Sequence, residues 1–183
     1  MDDLSSLVGL GTELKAANGE RFLIRRATLE DGDGLCRVCL MTGNGGKDAT
    51  GQFKDPLLLG RRWVMPYVEL EPHFALCLVS MENSEICGYA LGCRDTIAFS
   101  KRLNEEYLPR MQKLYPRSPR SDKEGDVVAD SEGATMKDDE VLEDFYSFEL
   151  PPEQVHLKYP SHMHIDLVPR GQGMNLGRFL LGS

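Results

Sequence analysis

The sequence has no long apolar run, one tryptophan, four histidines and an odd number of cysteines, and each scarcity removes a class of protein. A membrane helix needs about twenty consecutive, mainly apolar residues, and no stretch offers them, so no membrane role is expected. The start, Met1-Asp2-Asp3, is acidic where a signal peptide would be basic, and no apolar segment follows it. A cytoplasmic or nuclear location is therefore the expectation. Five cysteines (Cys36, Cys39, Cys77, Cys87, Cys93) without a secretory signal argue against a disulfide framework. Cys36 and Cys39 form a CxxC, but in a segment that reads as helix, with no second ligand pair at zinc-like spacing. They read as buried reduced thiols. No basic stripe interleaved with aromatics is present, which excludes nucleic-acid binding as an expected function.

What is present suits one globular domain: 183 residues, 41% hydrophobic and 27% charged. The net charge of −8 is unevenly spread. Asp122 to Glu149 holds 11 acidic and 2 basic residues, leaving 18 and 19 for the rest, which is close to neutral. Residues 118–144 are acidic, contain Gly, Ser and Pro, and are poor in large apolar side chains, so they read as a disordered or loosely packed insertion. Residues 1–20 read as a flexible leader, and residues 21–183 as the domain proper.

Within the domain, Arg21–Arg26 reads as a strand. Thr28 with Asp31 three residues on reads as a capping box opening a helix. Leu35, Val38, Cys39 and Thr42 form the buried stripe of that helix, and the Gly-rich run 43–46 ends it. Residues 47–59 read as loop or a short helical turn, and 60–71 as irregular and rich in aromatics. Residues 73–79 and 86–92 read as a β-hairpin around a polar turn. Residues 97–115 carry apolar side chains every fourth position and read as a helix kinked at Pro109. Residues 161–168 alternate His162, His164, Asp166 with Met163, Ile165, Leu167, the period of a strand with one polar and one apolar face. A tight loop, Pro169-Arg170-Gly171-Gln172-Gly173, then leads into an amphipathic helix over 174–181.

A strand, a proline, a Gly-rich turn and a helix N-terminus suit a pyrophosphate group. The first helical turn has unpaired backbone N–H groups and the positive end of the macrodipole, and glycine permits close approach. Arg170 and Arg178 are candidates to add positive charge. The loop is neither a Walker A sequence nor a dinucleotide fingerprint.

The segment Gln172-Gly173-Met174-Asn175-Leu176-Gly177 matches the Gln/Arg-x-x-Gly-x-Gly/Ala pattern of the GNAT superfamily of acetyl-CoA-dependent N-acetyltransferases, with Asn175 where that family prefers Gly. Ile24-Arg25-Arg26-Ala27-Thr28-Leu29-Glu30-Asp31 resembles the family's opening strand and first helix cap. Ile86-Cys87-Gly88-Tyr89-Ala90-Leu91-Gly92 resembles its third strand. More narrowly, residues 42–50 and 159–167 are similar to a subgroup related to the acetyltransferase-like domain of eukaryotic O-GlcNAc hydrolases.

This resemblance implies an α+β fold with a GNAT-like, mainly antiparallel sheet flanked by helices, incomplete at its C-terminal end. It implies transfer of an acetyl group from acetyl-CoA to an amine, on a small molecule or a protein. It places Ile165, Leu167 and Val168 of the family's fourth strand, with Gln172, Gly173, Met174, Asn175, Leu176 and Gly177, against the cofactor. It places Lys47 and Asp48 on the acceptor side, and leaves the general acid to a missing C-terminal part. Asp166 and His164 are the expected base, acting directly or through water; the alternative is that they only satisfy hydrogen bonds on a wet strand face. A further reading, His162-x-His164-x-Asp166 as a metal triad, is disfavoured because Leu167 stands where a metallo-hydrolase would have histidine, and no metal is expected. The alternative function is a non-catalytic pseudo-acetyltransferase domain that binds CoA or a peptide partner.

Overall fold

The computed structural model describes residues 11–117, 138–147, 150 and 152–181. Among them, five strands form one antiparallel sheet in chain order: β1 (Thr12–Lys15), β2 (Arg21–Arg26), β3 (Ala75–Ser80), β4 (Ile86–Cys93) and β5 (His162–Leu167). The helices are α1 (Gly32–Thr42), α2 (Leu58–Trp63), α3 (Met65–Leu70), α4 (Thr96–Arg102), α5 (Leu108–Leu114), α6 (Asp138–Glu143), α7 (Glu153–Lys158) and α8 (Leu176–Leu180). This is the α+β, GNAT-like arrangement expected from the sequence.

The entry to α1 is set locally. Asp31 accepts from the Thr28 backbone N–H at 2.8 Å and closes a capping box. Its carboxylate also takes both nitrogens of Arg25 at 2.7 Å, tying β2 to the helix start. This bidentate pair, with the Thr28 bonds, pulls the Asp31 carboxyl down to about 2. Leu35, Val38, Cys39 and Thr42 are all buried, as their spacing predicts. The CxxC is part of this helix: Cys36 and Cys39 are buried free thiols, and burial pushes each up to about 12. Cys36 sits so close to Gly60 of α2 that a Cβ there would lie 2.4 Å from its sulfur.

Three expectations are corrected. Residues 12–15 are not leader but strand β1, which pairs with β2 through Thr12–Lys15 against Arg21–Ile24. Four residues are too few for periodicity to declare a strand, and the pairing partner supplies the reason to form one. Residues 60–71 are not irregular: they belong mostly to α2 and α3, two short helices meeting at Val64, with Pro66 in the first turn of α3 where its missing N–H costs nothing. Residues 138–144 are not part of a structureless insertion; α6 buries Val141, and Phe145 just beyond it is fully buried and stacks on Tyr115 at 5.5 Å. The acidic composition hides this apolar stripe. The remainder of the insertion, and residues 1–10, lie outside the described residues.

The expected kink at Pro109 takes a particular form. Between α4 and α5 the helix widens into a π turn at Leu103–Tyr107. Proline has no N–H and crowds the carbonyl four residues back, and a wider turn relieves both. Among the described residues, no helix is long and apolar enough to cross a membrane.

The sheet has two working faces. The row Arg25–Cys77–Tyr89–Asp166 runs across β2 to β5 on one face, and Ile24–Leu78–Gly88–Leu167 on the other. Helix α1 packs on β4 and β5 on the first face, and α3 joins it on β4. Helix α8 covers the second, with Leu176 and Leu180 buried and Gly177 against Leu167 and Ile165.

Candidate functional site

Strand β5 is the edge of the sheet, and its polar residues face inward. His162, His164 and Asp166 lie opposite Cys93, Leu91 and Tyr89, toward the helical layer, while Met163 and Ile165 are more exposed than the histidines. The polar side of this strand is thus not a wet outer face. It is lined by hydroxyls and rings that satisfy it.

Asp166 accepts from the Tyr89 hydroxyl at 2.6 Å. Tyr89 is fully buried, and burial, with the neighbouring Cys39 and Asp166, pushes its phenol far above the ordinary tyrosine value. The two histidines meet at Tyr67 of α3: its hydroxyl lies 2.7 Å from His162 Nε2 and 3.0 Å from His164 Nε2.

The direction of this chain follows from its far end. The Pro160 carbonyl can only accept, and it receives the Thr96 hydroxyl at 2.8 Å. Thr96 Oγ1 therefore offers a lone pair to His162 Nδ1, also 2.8 Å away, so Nδ1 carries the proton, which Cys93 Sγ shares at 3.2 Å. His162 Nε2 is then an acceptor for the Tyr67 O–H, and the Tyr67 oxygen accepts from His164 Nε2–H. His164 Nδ1 is left holding a lone pair, with no hydrogen-bond partner among the described residues. Burial pulls both imidazoles below the ordinary histidine value. At His164, Asp166 opposes that pull and Arg62 adds to it; at His162, His164 adds to it. Both rings are neutral at neutral pH, as the chain requires.

Beside this chain lies a cavity of about 270 Å³ between α2, α3, α4 and the segment around α7. Its wall includes Trp63, Tyr67, Phe99, His162 and His164. Tyr67 stacks on Phe99 at 4.7 Å, and the buried Arg62 places its guanidinium 4.0 Å from the Trp63 ring centre. Tyr67, Thr96 and Trp63 escape a reading of motifs. The aromatic richness of 60–71 was the available signal, and it became legible only once α3 was known to lie against β5.

On the outer side, the strand pairs with no further strand among the described residues. Val168 N–H donates to Cys87 O at 3.0 Å, so in an antiparallel ladder His162, His164 and Asp166 bond to β4. The backbone groups of Met163, Ile165 and Leu167 point to the free edge. Of the three strand residues expected to meet a cofactor, Ile165 and Leu167 present that edge. Val168 does not, since its N–H is taken by Cys87 and its carbonyl by Gly171. The Gln172 side chain donates to Leu167 O at 2.7 Å and so closes the end of the strand.

The loop that follows has the shape the sequence suggests. Gly173 and Asn175 both have positive φ, 72° and 59°. Asn is one of the few side chains that tolerate this region, which is how it replaces Gly here. The N–H groups of Gly173, Met174 and Asn175 donate to no acceptor among the described residues. Gly177 lies against Leu167 with Leu176 buried beneath it. Arg170 does not point its charge at the loop: it is held by Glu20, Glu82 at 2.9 Å and Glu85 at 3.5 Å. Arg178 is exposed on α8.

Lys47 and Asp48 are exposed on the loop after α1. Asp48 accepts from the Thr50 N–H at 2.7 Å in a local turn, and neither residue lines the aromatic cavity. Among the described residues, no three His, Cys, Asp or Glu side chains converge as a metal site.

This sheet, with helices on both faces and an open fifth strand leading into a glycine turn, is an acetyltransferase-like α+β fold. It is similar to a solved structure described as "Crystal structure of SsHAT", with a TM-score of 0.68 and 28% sequence identity, over 87% of this chain and 73% of that one. No family model matches the chain.

Proposed function

We propose that the protein is an N-acetyltransferase that moves an acetyl group from acetyl-CoA to an amine. The observation that carries this is the open edge of β5 continuing into the loop 172–177 on an acetyltransferase-like fold. Ile165 offers its N–H and carbonyl, and Leu167 its N–H, to the amides of a pantetheine arm, the Leu167 carbonyl being held by Gln172. The N–H groups of Gly173, Met174 and Asn175, which meet no acceptor among the described residues, with no Cβ at 173, suit a pyrophosphate. Acetyl-CoA supplies the activated acyl carbon and a thiolate leaving group.

The residues of the chain supply proximity and a base. The amine must lose one proton as its nitrogen bonds to the acyl carbon and the C–S bond breaks. His164 Nδ1 is the group placed to take it, with Tyr67 and His162 holding the ring in the required tautomer. The proton finally resides on the CoA sulfur. Asp166, engaged by Tyr89, stabilises charge on His164 from the same strand face rather than acting as the base.

Acetyl-CoA titrated into the full chain by calorimetry tests the reading, alongside Gly173→Val, whose φ of 72° no branched side chain adopts readily. Saturable binding lost in the variant, with thiol release across an amine panel, supports it. A folded chain with no affinity for acetyl-CoA sinks it. The second reading, a domain that binds CoA or a peptide without turnover, is favoured by Asn175, whose side chain occupies space beside the turn that a glycine would leave open. Binding without thiol release would select it.

A further inference from the structure

The cavity beside Tyr67 has a chemistry of its own, which narrows what can enter it. Its wall is mainly apolar and built from rings, with Trp63, Tyr67 and Phe99 joined by Pro66, Leu103 and Val155. Its volume of about 270 Å³ exceeds the roughly 150 Å³ that holds a benzene molecule in an engineered apolar cavity. One ring with a short substituent fits. Among the described residues no Asp or Glu lines it, whereas the Arg62 guanidinium does. An ammonium ion would lose its water here and find no counter-charge among the described residues of the wall, which is costly. Asp144 and Asp166 act on Arg62 and His164 but are not among the described residues of the wall. The polar features that remain are small hydroxyls and the imidazoles of His156, His162 and His164; within the Thr96–His162–Tyr67–His164 chain, His164 Nδ1 is the nitrogen left as an acceptor.

We propose that this cavity binds a neutral aromatic amine, its ring among Trp63, Tyr67 and Phe99 and an N–H donated to His164 Nδ1. As the identity of the acceptor, this rests on the acetyl-transfer reading; as a binding site it does not. A neutral arylamine also suits a site whose base is a neutral imidazole, since no ammonium proton has to be removed before the nitrogen can attack.

Trp63 is the sole tryptophan of the chain and stands in the cavity wall, so its emission reports occupancy. The test titrates the full chain, without acetyl-CoA, with 4-methylaniline and with benzylamine. These are isomers with one ring and one amine, but the first is neutral and the second protonated at pH 7.5. Saturable change in Trp63 emission, with 4-methylaniline bound at least about tenfold more tightly, is expected. Val155→Phe, at a half-exposed position on the rim, narrows the cavity without entering the core and should weaken 4-methylaniline at least about fivefold. Equal or tighter binding of benzylamine overturns the proposal. So does no saturable binding by a chain with a dispersed amide NMR spectrum, or an unchanged affinity in Val155→Phe. Acetyl-CoA binding is measured separately. Its failure with 4-methylaniline still bound removes the acetyl-transfer reading and leaves the aromatic-amine site standing.

Discussion

Strands β4 and β5 are hydrogen-bonded neighbours with opposite characters. Seven of the eight residues of β4 are buried, whereas no residue of β5 is. In β4 both faces are covered, and small residues (Gly88, Ala90, Gly92) let other parts approach. In β5 one face carries two imidazoles and a carboxylate against the helical layer, and the outer backbone edge pairs with no strand among the described residues. A strand held on both sides contributes order; the strand at the edge is free to present chemistry. The difference teaches that the site is not merely on the fold's surface but is supported, residue by residue, from β4: Tyr89 holds Asp166, and Cys93 shares the proton on His162.

The largest expected effect comes from forcing bulk between the two strands. A Cβ at Gly88 would lie 2.7 Å from the Asp166 carbonyl oxygen and 2.4 Å from Leu167. Gly88→Val should cost about 3 kcal/mol or more in urea denaturation, because backbone cannot move aside as a flexible side chain can. Gly92→Ala, where the nearest atom is 3.5 Å away, should cost under about 1 kcal/mol. Equal losses at the two positions would break the claim that β5 is seated tightly on β4 at its C-terminal end.

Next is Tyr67→Phe, which removes the hydroxyl between the histidines and leaves His162 Nε2 half-buried without its donor. A loss of about 1–3 kcal/mol in stability is expected. On the proposed function, turnover falls at least about tenfold with acetyl-CoA affinity unchanged, since the hydroxyl orients His164 and touches neither the β5 edge nor the loop. A change in acetyl-CoA affinity with no change in turnover would place the chemistry elsewhere.

The buried imidazoles also make stability depend on pH. Their folded values lie below the ordinary 6.5, so below that pH the unfolded chain binds more protons than the folded one. Their contribution is fully present above pH 6.5 and is lost as the pH falls toward the folded values. The thermal midpoint should drop between pH 7 and pH 5, and the drop should shrink in His162→Phe/His164→Leu. Asp31 behaves separately: its contribution is present above the ordinary carboxylate value of 3.8 and is lost only as the pH falls through about 2.

The smallest effect is expected at the strand's end. Gln172→Ala removes the bond to Leu167 O, and should weaken acetyl-CoA by about threefold or less in calorimetry while leaving the unfolding midpoint within about 0.5 kcal/mol. An abolished affinity would mean that Gln172 meets the ligand directly instead of closing β5.

Local patterns were legible wherever one element carried its own signal. The Thr28–Asp31 box, the buried stripe of α1, strands β2 and β4, and the helical period through Pro109 could all be read from spacing. The positive φ of Asn175 was not read from spacing; only the resemblance, which puts a Gly-preferring position there, pointed to it. Short elements were not legible: β1 exists through its pairing with β2, and α2 and α3 are too brief for a period to show. The apolar stripe of α6 was concealed by surrounding acids.

The candidate site divides in the same way. The alternation of His162, His164 and Asp166 and the glycine turn after β5 are sequence facts, and by themselves they determined a strand with a polar face leading into an anion-suited loop. Which way that face turns was decided by tertiary structure alone, because α8 covers the Leu167 side and the hydroxyls of Tyr67, Tyr89 and Thr96 make the other side the better place for imidazole and carboxylate. Residues 95 or more positions apart meet in the Tyr67–His162 and Tyr67–His164 bonds. No local period encodes a contact at that range; it arises only when the sheet fixes β5 opposite α3.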